Sequence, residues 1–180
     1  MAAIKLNNVT ALSETGGVAT FGTSSATLKY PAGHVIQYDS VFSATPSSTD
    51  VLIPADGTKP QITEGASMLN LAFTPLVAGS TLEILVNVGL DSNNANNLAL
   101  CLFNTVIHST DAVAVSASRT GGGINQNITI LYNYTTPSTA AATWQTRYGG
   151  SAATIKIGQS NSFTYGSTMQ YGMTIKEIMA

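Results

Sequence analysis

Only 9% of the 180 residues are charged, with a net charge of −2, where an ordinary soluble domain runs at about 25%. Thr, Ser and Asn (24, 18 and 13 residues) take up the polar share, while the 44% hydrophobic content is ordinary and sufficient for a core. Disorder driven by charge is therefore excluded, and seven scattered cations in a chain of pI about 5.5 argue against a nucleic-acid partner.

No apolar run approaches the roughly 18 residues of a membrane-spanning helix. Residues 1–8 hold one Lys and no apolar block, so they do not read as a secretory signal. The single Cys101 permits no internal disulfide. Low surface charge is unusual for a monomer, which relies on charge for solubility, and points to an assembled surface.

In chain order, residues 1–30 come first. Their apolar residues (Leu6, Val9, Leu12, Val18, Phe21) are isolated between Gly16-Gly17 and Thr23-Ser24-Ser25. That spacing is too sparse for a core element and predicts an extended arm that orders on another surface. Pro31-Ala32-Gly33 marks the junction. Strands follow at 35–42, 51–53 and 67–73, where Leu69, Leu71 and Phe73 share a face until Thr74-Pro75 stops the ladder. Residues 81–90 carry the strongest signal, with Leu82, Ile84, Val86, Val88 and Leu90 at period two.

Residues 97–103 are apolar on both faces, which predicts a strand buried on both sides. Strands at 112–117, 127–134, 143–148 and 153–157 come next. The last, at 168–178, alternates Met169, Tyr171, Met173 and Ile175 with Gln170, Gly172, Thr174 and Lys176. Turn signals such as Ala55-Asp56-Gly57, Gly121-Gly122-Gly123 and Gly149-Gly150 separate these runs, and no convincing helix competes with them. About ten short strands at this spacing predict an all-β chain. The expected architecture is an antiparallel jelly-roll-like β-sandwich over residues 31–180, with an extended N-terminal arm over 1–30.

Catalytic patterns find little support. His108-Ser109-Thr110-Asp111 places the triad residue types next to each other, where they cannot form the triad geometry with one another. Two His (His34, His108) and one Cys are too few for a dedicated zinc site. Nine carboxylates leave room for a glycosidase pair, but most fall in predicted turns. Glu83 and Glu177 are expected on outward strand faces, each able to pair with a nearby Lys or Arg. Asp91-Ser92-Asn93-Asn94 begins like a calcium loop, yet Asn96 and Leu102 stand where that loop needs Gly and Glu. Arg119-Thr120-Gly121-Gly122-Gly123 lacks the Lys of a phosphate loop and reads as an exposed hairpin tip. Three N-x-S/T sequons, at Asn8, Asn127 and Asn133, are as many as chance supplies at this composition. Tyr132, Tyr134, Trp144, Arg147 and Tyr148 form an aromatic and Arg group on two strands expected to be neighbours. Packing is its favoured role, with Tyr134 and Tyr148 the better placed for exposure. No cofactor is expected.

Several segments together resemble a module common in tailed-bacteriophage virion proteins. Leu28-Lys29-Tyr30-Pro31-Ala32-Gly33-His34-Val35-Ile36-Gln37 resembles its Pro-Gly-His-Val-Ile-Gln opening. Residues 73–86 (FTPLVAGSTLEILV) are similar to its Ile-Thr-Pro…Ser-x-Leu-x-Ile segment, though 76–80 lack the usual Lys. Leu98 to Phe103, Trp144 to Gly150 (WQTRYGG) and the closing Met173-Thr174-Ile175-Lys176-Glu177-Ile178 resemble later strands, in the same order.

The resemblance implies a non-enzymatic virion structural protein on the particle surface. It implies a homotrimer serving as a capsid decoration (cement) protein whose arm binds the major capsid protein or other virion proteins. The alternative is a tail or head fibre whose loops bind a host-surface receptor; a glycan-cleaving enzyme is the alternative from another class. On this reading Leu6, Val9, Leu12, Val18 and Phe21 attach the arm, and Met169, Tyr171 and Met173 form an apolar outer face between subunits. Asp91, Asn93, Asn94, Arg119, Gly122 and Asn125 lie on exposed contact loops. Neither nucleic acid nor membrane insertion is expected.

Overall fold

A computed structural model of the chain describes residues 2–6, 9–15, 18–21, 31–107, 110–121, 125–152, 154–160 and 163–180. The backbone divides into two compact units, residues 1–31 and 32–180.

The first unit is a meander of three antiparallel strands, β1 (Ala2–Leu6), β2 (Val9–Thr15) and β3 (Val18–Phe21). An extended arm was the expectation here. The backbone instead pairs with itself, Ala2 opposite Glu14 and Thr15 opposite Val18. Leu6, Val9, Leu12, Val18 and Phe21 fall on these strands, and their side chains lie outside the described residues.

The second unit is an antiparallel, jelly-roll-like sandwich built around the strand with the clearest alternation. β7 (Thr81–Ser92) turns Leu82, Ile84, Val86, Val88 and Leu90 inward, each at most 2% exposed. One edge pairs along its length with β10 (Gln126–Thr135). The other edge is shared: β13 (Tyr171–Ile178) takes residues 81–87, and β12 (Ile155–Ile157) takes 90–92. β4 (Val35–Ser43) and β5 (Ser47–Thr49) complete this six-stranded sheet. The facing sheet runs β6 (Ala66–Phe73), β11 (Ala142–Gly150), β8 (Ala95–Asn104) and β9 (Ala114–Gly121). The predicted strand at 51–53 is replaced by β5 and by an isolated bridge from Leu52 to Gly150.

Between the sheets lie Leu69, Leu71 and Phe73, the inward face of β7, Leu98, Leu100 and Leu102, Ile128 and Ile130, Trp144, Met173 and Ile175. Full burial of each such side chain contributes about 1.5–3 kcal/mol. β8 is buried on both faces, as its sequence predicts. Its other face, Ala99, Cys101 and Phe103, packs under Ile53, Ile62 and Ala112. Residues 51–65 therefore form a cover over the four-stranded sheet. Ile53 N donates to Gly150 O (3.0 Å) and Ala112 N to Pro60 O (2.9 Å). Arg147 clamps the end of the cover, with Nε donating to Glu64 O at 2.8 Å and Nη2 to Gly65 O at 2.7 Å.

Two expectations about β13 are corrected. Tyr171 and Met173 were expected on an outer, subunit-packing face, but they are 6% and 0% exposed and belong to the core. Met169 precedes the strand and is half-buried. The two-residue alternation holds, but its apolar face closes the chain's own sandwich. Glu177 shares that parity and also points inward, fully buried. It is held by hydrogen bonds from Leu76 N (2.8 Å), Val77 N (2.9 Å) and Ser80 Oγ (2.7 Å) in the loop between β6 and β7. The expected outward partner of a cation is therefore Glu83 alone, whose Oε1 accepts from Lys176 Nζ at 2.8 Å.

Candidate functional site

The outer face of the six-stranded sheet is set by register. Phe42, Gly172, Asn87 and Thr129 form one row across β4, β13, β7 and β10. Ser40, Thr174, Leu85 and Leu131 form the next, and Tyr38, Lys176, Glu83 and Asn133 the third. Gly89 lies opposite Asn127 at the end nearest β12. Only the third row is charged, and the contact of Lys176 with Glu83 raises the lysine's pKa, mainly through their hydrogen bond.

A groove of about 480 Å3 opens over the uncharged end of this face. Phe42, Leu85, Asn87, Asn125, Asn127, Met169, Gln170, Tyr171 and Thr174 line it, with Gly89 and Gly172. Both glycines sit where a side chain would project into it. A Cβ on Gly172 would collide with the Phe42 ring, and a Cβ on Gly89 would come within 2.8 Å of Asn125 Oδ1. Gly in a strand interior costs roughly 0.5–1 kcal/mol relative to Ala and marks a close approach. Here the approaching groups are an aromatic ring and a carboxamide.

The ladder along this edge of β7 is interrupted at Val88 and Gly89, between the last residue paired with β13 and the first paired with β12. Asn125 Nδ2 donates to Gln159 O at 3.3 Å, which fixes that amide at the groove's end. Among the described residues, the amides of Asn87, Asn127 and Gln170 make no hydrogen bond within the chain.

A second cleft, of about 370 Å3, lies on the opposite side between residues 53–60 and strands β8 and β9. Its lining is apolar apart from Asp56, Thr58, Lys59 and Asn97, and includes Pro54, Pro60, Val115 and Ala117. Val51, Leu52 and Val115 are about half exposed beside it (50%, 47% and 46%). Asp56 belongs to the turn, its carboxyl held below the usual carboxylate range by the hydroxyl and amide of Thr58.

The other predicted contact residues divide. Asn93 and Asn94 are exposed at the crossing from β7 to β8, and Arg119 is exposed on β9. Asp91 is fully buried on β7, so it is a core-end residue and not a loop contact. Gly122 and His108 lie outside the described residues. Asn125 joins the groove.

The aromatic group is a packing device. Its two strands are not neighbours, because β10 lies in the six-stranded sheet and β11 in the facing one. Trp144 bridges the sandwich, its ring 6.2 Å from that of Tyr132 and 5.7 Å from that of Tyr134, the latter edge-on. Pairs of this kind contribute about 0.5–1.5 kcal/mol each beyond burial. Tyr148, expected to be exposed, is 1% exposed, and burial raises its pKa. Cys101 is buried, and desolvation, with Glu64 adding to it, pushes its thiol up to about 12. Among the described residues, no three His, Cys, Asp or Glu side chains gather where they could hold a metal.

No family model and no curated protein matches the chain. Solved structures align with the chain only distantly. The Eiger TNF of S. frugiperda aligns at 12% identity and TM-score 0.42, over 79% of this chain and 94% of that one. The EclA C-terminal domain, a sugar-binding protein, aligns at 10% identity and TM-score 0.38, over 74% and 79%. The structure of infectious bursal disease virus (Gx strain) aligns at 9% identity and TM-score 0.38, over all of this chain and 47% of that one. Likenesses this distant carry no argument about fold or function.

Proposed function

We propose that the chain is a non-enzymatic structural protein on the surface of a tailed-bacteriophage particle. On this proposal it is a homotrimeric capsid decoration protein. Its N-terminal unit contacts the major capsid protein, and its sandwich faces outward. The division at residue 31 carries the reading. It separates a small, self-paired unit suited to attachment from a sandwich with its own complete core. The segments that resemble phage virion modules supply the opening of β4, the start of β7, and strands β8, β11 and β13. The polar but uncharged surface supports assembly, since Thr, Ser and Asn can be buried against a partner without desolvating ions.

A trimer needs a face other than Tyr171 and Met173. The apolar cleft beside Val51, Leu52 and Val115 is the surface we assign to it. Deleting residues 1–31 tests the attachment role. The truncated protein should keep the native Trp144 fluorescence and fail to join particles. Normal incorporation of the truncated chain would refute attachment through this unit. The second reading, a head or tail fibre that binds a receptor, is favoured by one observation, the amide-lined groove. Copy number per particle, counted in an electron-microscopy reconstruction, separates the two.

A further inference from the structure

We infer that the groove over β4, β13, β7 and β10 is a binding site for a neutral glycan, a pyranose unit of an uncharged oligosaccharide or polysaccharide. The inference goes beyond the virion reading and stands on the groove alone. Its size, about 480 Å3, lies within the range of small-molecule sites, roughly 300–1,000 Å3.

The chemistry of the lining selects the ligand class. None of the described lining residues is charged, so nothing there balances a phosphate, a uronate or a sialic acid. The polar groups are carboxamides, which both donate and accept hydrogen bonds. A sugar hydroxyl also does both, so a row of amides matches a row of vicinal hydroxyls without regard to which partner gives the proton. Among the described residues, the side-chain amides of Asn87, Asn127 and Gln170 are exposed and make no hydrogen bond, so binding would break no internal bond of theirs.

The apolar half of a pyranose, its axial C–H face, needs a flat apolar surface. Phe42 supplies it: the residue is 57% exposed and its ring rests on the bare backbone at Gly172. That support limits the ring's freedom before a ligand arrives, which favours affinity. An apolar peptide would make poor use of the amides, and an acidic ligand would find no cation, so a neutral polyol fits the whole lining best. Free oligosaccharides and cell-surface polysaccharides present this same chemistry.

The test uses the purified full-length chain in a calorimetric or saturation-transfer NMR titration. The probes are a panel of neutral hexose and N-acetylhexosamine oligosaccharides, their uronic-acid counterparts, and isolated neutral bacterial polysaccharide. At least one neutral probe should bind, at least about tenfold more tightly than its acidic counterpart. Its affinity should change little between about 0.05 and about 0.5 M salt. Phe42→Ala and Asn87→Ala should each weaken binding about tenfold or more. Asn133→Ala, on the same face but outside the groove, should leave it unchanged, and unaltered Trp144 fluorescence would show that each variant is folded. Binding to soluble oligosaccharides alone would assign the site to free sugar, and binding to the polysaccharide as well would assign it to a cell surface. No binding across the neutral panel overturns the inference. So does binding that survives Phe42→Ala and Asn87→Ala together, or binding that prefers acidic sugars and weakens with salt. Incorporation into particles is a separate measurement, so the groove and the virion reading can fail independently.

Discussion

Replacing Glu177 by Ala perturbs the contact that ties the β6–β7 loop to the last strand. The carboxylate is fully buried and accepts from two backbone amides, Leu76 N and Val77 N, and from Ser80 Oγ. Gln37, with its carboxamide oriented to place nitrogen toward the site, donates to the second oxygen at 3.0 Å. Ser80 Oγ has other partners, Val77 O at 2.7 Å and Thr136 Oγ1 at 3.1 Å, so it is not stranded by the substitution. The two backbone amides are. An unsatisfied buried donor costs about 1–3 kcal/mol. Both amides are only partly buried, so water offsets some of that and places the sum in the lower half, about 2–4 kcal/mol.

For a protein of this size, each kcal/mol moves the midpoint by about 2–4 °C. Glu177→Ala should therefore lower the thermal midpoint of the sandwich by about 10 °C. Denaturant unfolding followed by the single Trp144 measures the same loss as free energy. Hydrogen exchange should localise it: the amides of Leu76 and Val77 lose protection, while those of Val86 and Leu100 keep theirs until global unfolding. Glu177→Gln retains one accepting oxygen and should lose less than the Ala variant. A loss below about 1 kcal/mol for Glu177→Ala, or unchanged protection at Leu76 and Val77, would refute the claim that this carboxylate anchors the loop.

Other outcomes follow from the same structure. Cys101 should resist thiol reagents at pH 8 in the folded protein and react on unfolding, because the thiolate is the reactive form and burial holds the native thiol at about 12. Its folded pKa lies above its unfolded value. The stability it confers is therefore complete below pH 9 and lost as pH rises from 9 toward 12. Cys101→Ala should flatten that part of the stability–pH curve, and an unchanged curve would count against the cause. At Gly65, φ is +65° and a Cβ would stand 2.7 Å from Tyr148 O, so Gly65→Ala should destabilise by about 1–3 kcal/mol in denaturant titration. If the cleft beside β8 and β9 packs subunits, Val115→Asp should sediment as a folded monomer; an intact trimer would reassign the interface.

The strands were legible wherever alternation was strict. Leu82 to Leu90 place the central strand and its inward face, and the doubly apolar run from Leu98 to Phe103 correctly implies cover on both sides. Parity also places Glu177. Glu177 follows Tyr171, Met173 and Ile175 at period two, so the pattern that buries them buries it. The expectation that acids face water masked this, since a buried carboxylate becomes acceptable only once the amides of Leu76 and Val77 are brought to it from a hundred residues away. The three strands of residues 1–31 were not legible, because Leu6, Val9 and Leu12 follow no two-residue period. Arg147 was grouped with aromatic residues by sequence distance, whereas its partners, Glu64 O and Gly65 O, lie across a strand pair. The groove is of the same kind. The outward positions of Asn87 and Asn127 follow from parity, but their convergence with Phe42 depends on how four strands align, and single-strand patterns do not encode that alignment.

The shortage of charge acquires a location in this fold. Across the three central rows of the six-stranded sheet's outer face, Lys176 and Glu83 are the only ionic side chains, and they neutralise each other at 2.8 Å. The remaining positions hold Thr, Ser, Asn, Gly and exposed apolar side chains. A partner that covers such a face displaces water from groups that are individually inexpensive to desolvate, so contact does not require a matching charge. The same property makes the face weakly selective by charge and leaves discrimination to shape and hydrogen-bond direction, which the glycines under Phe42 and Asn125 and the amides beside them supply. A surface of this composition therefore fits recognition of an uncharged partner better than simple solubility, for which charged side chains would serve more effectively.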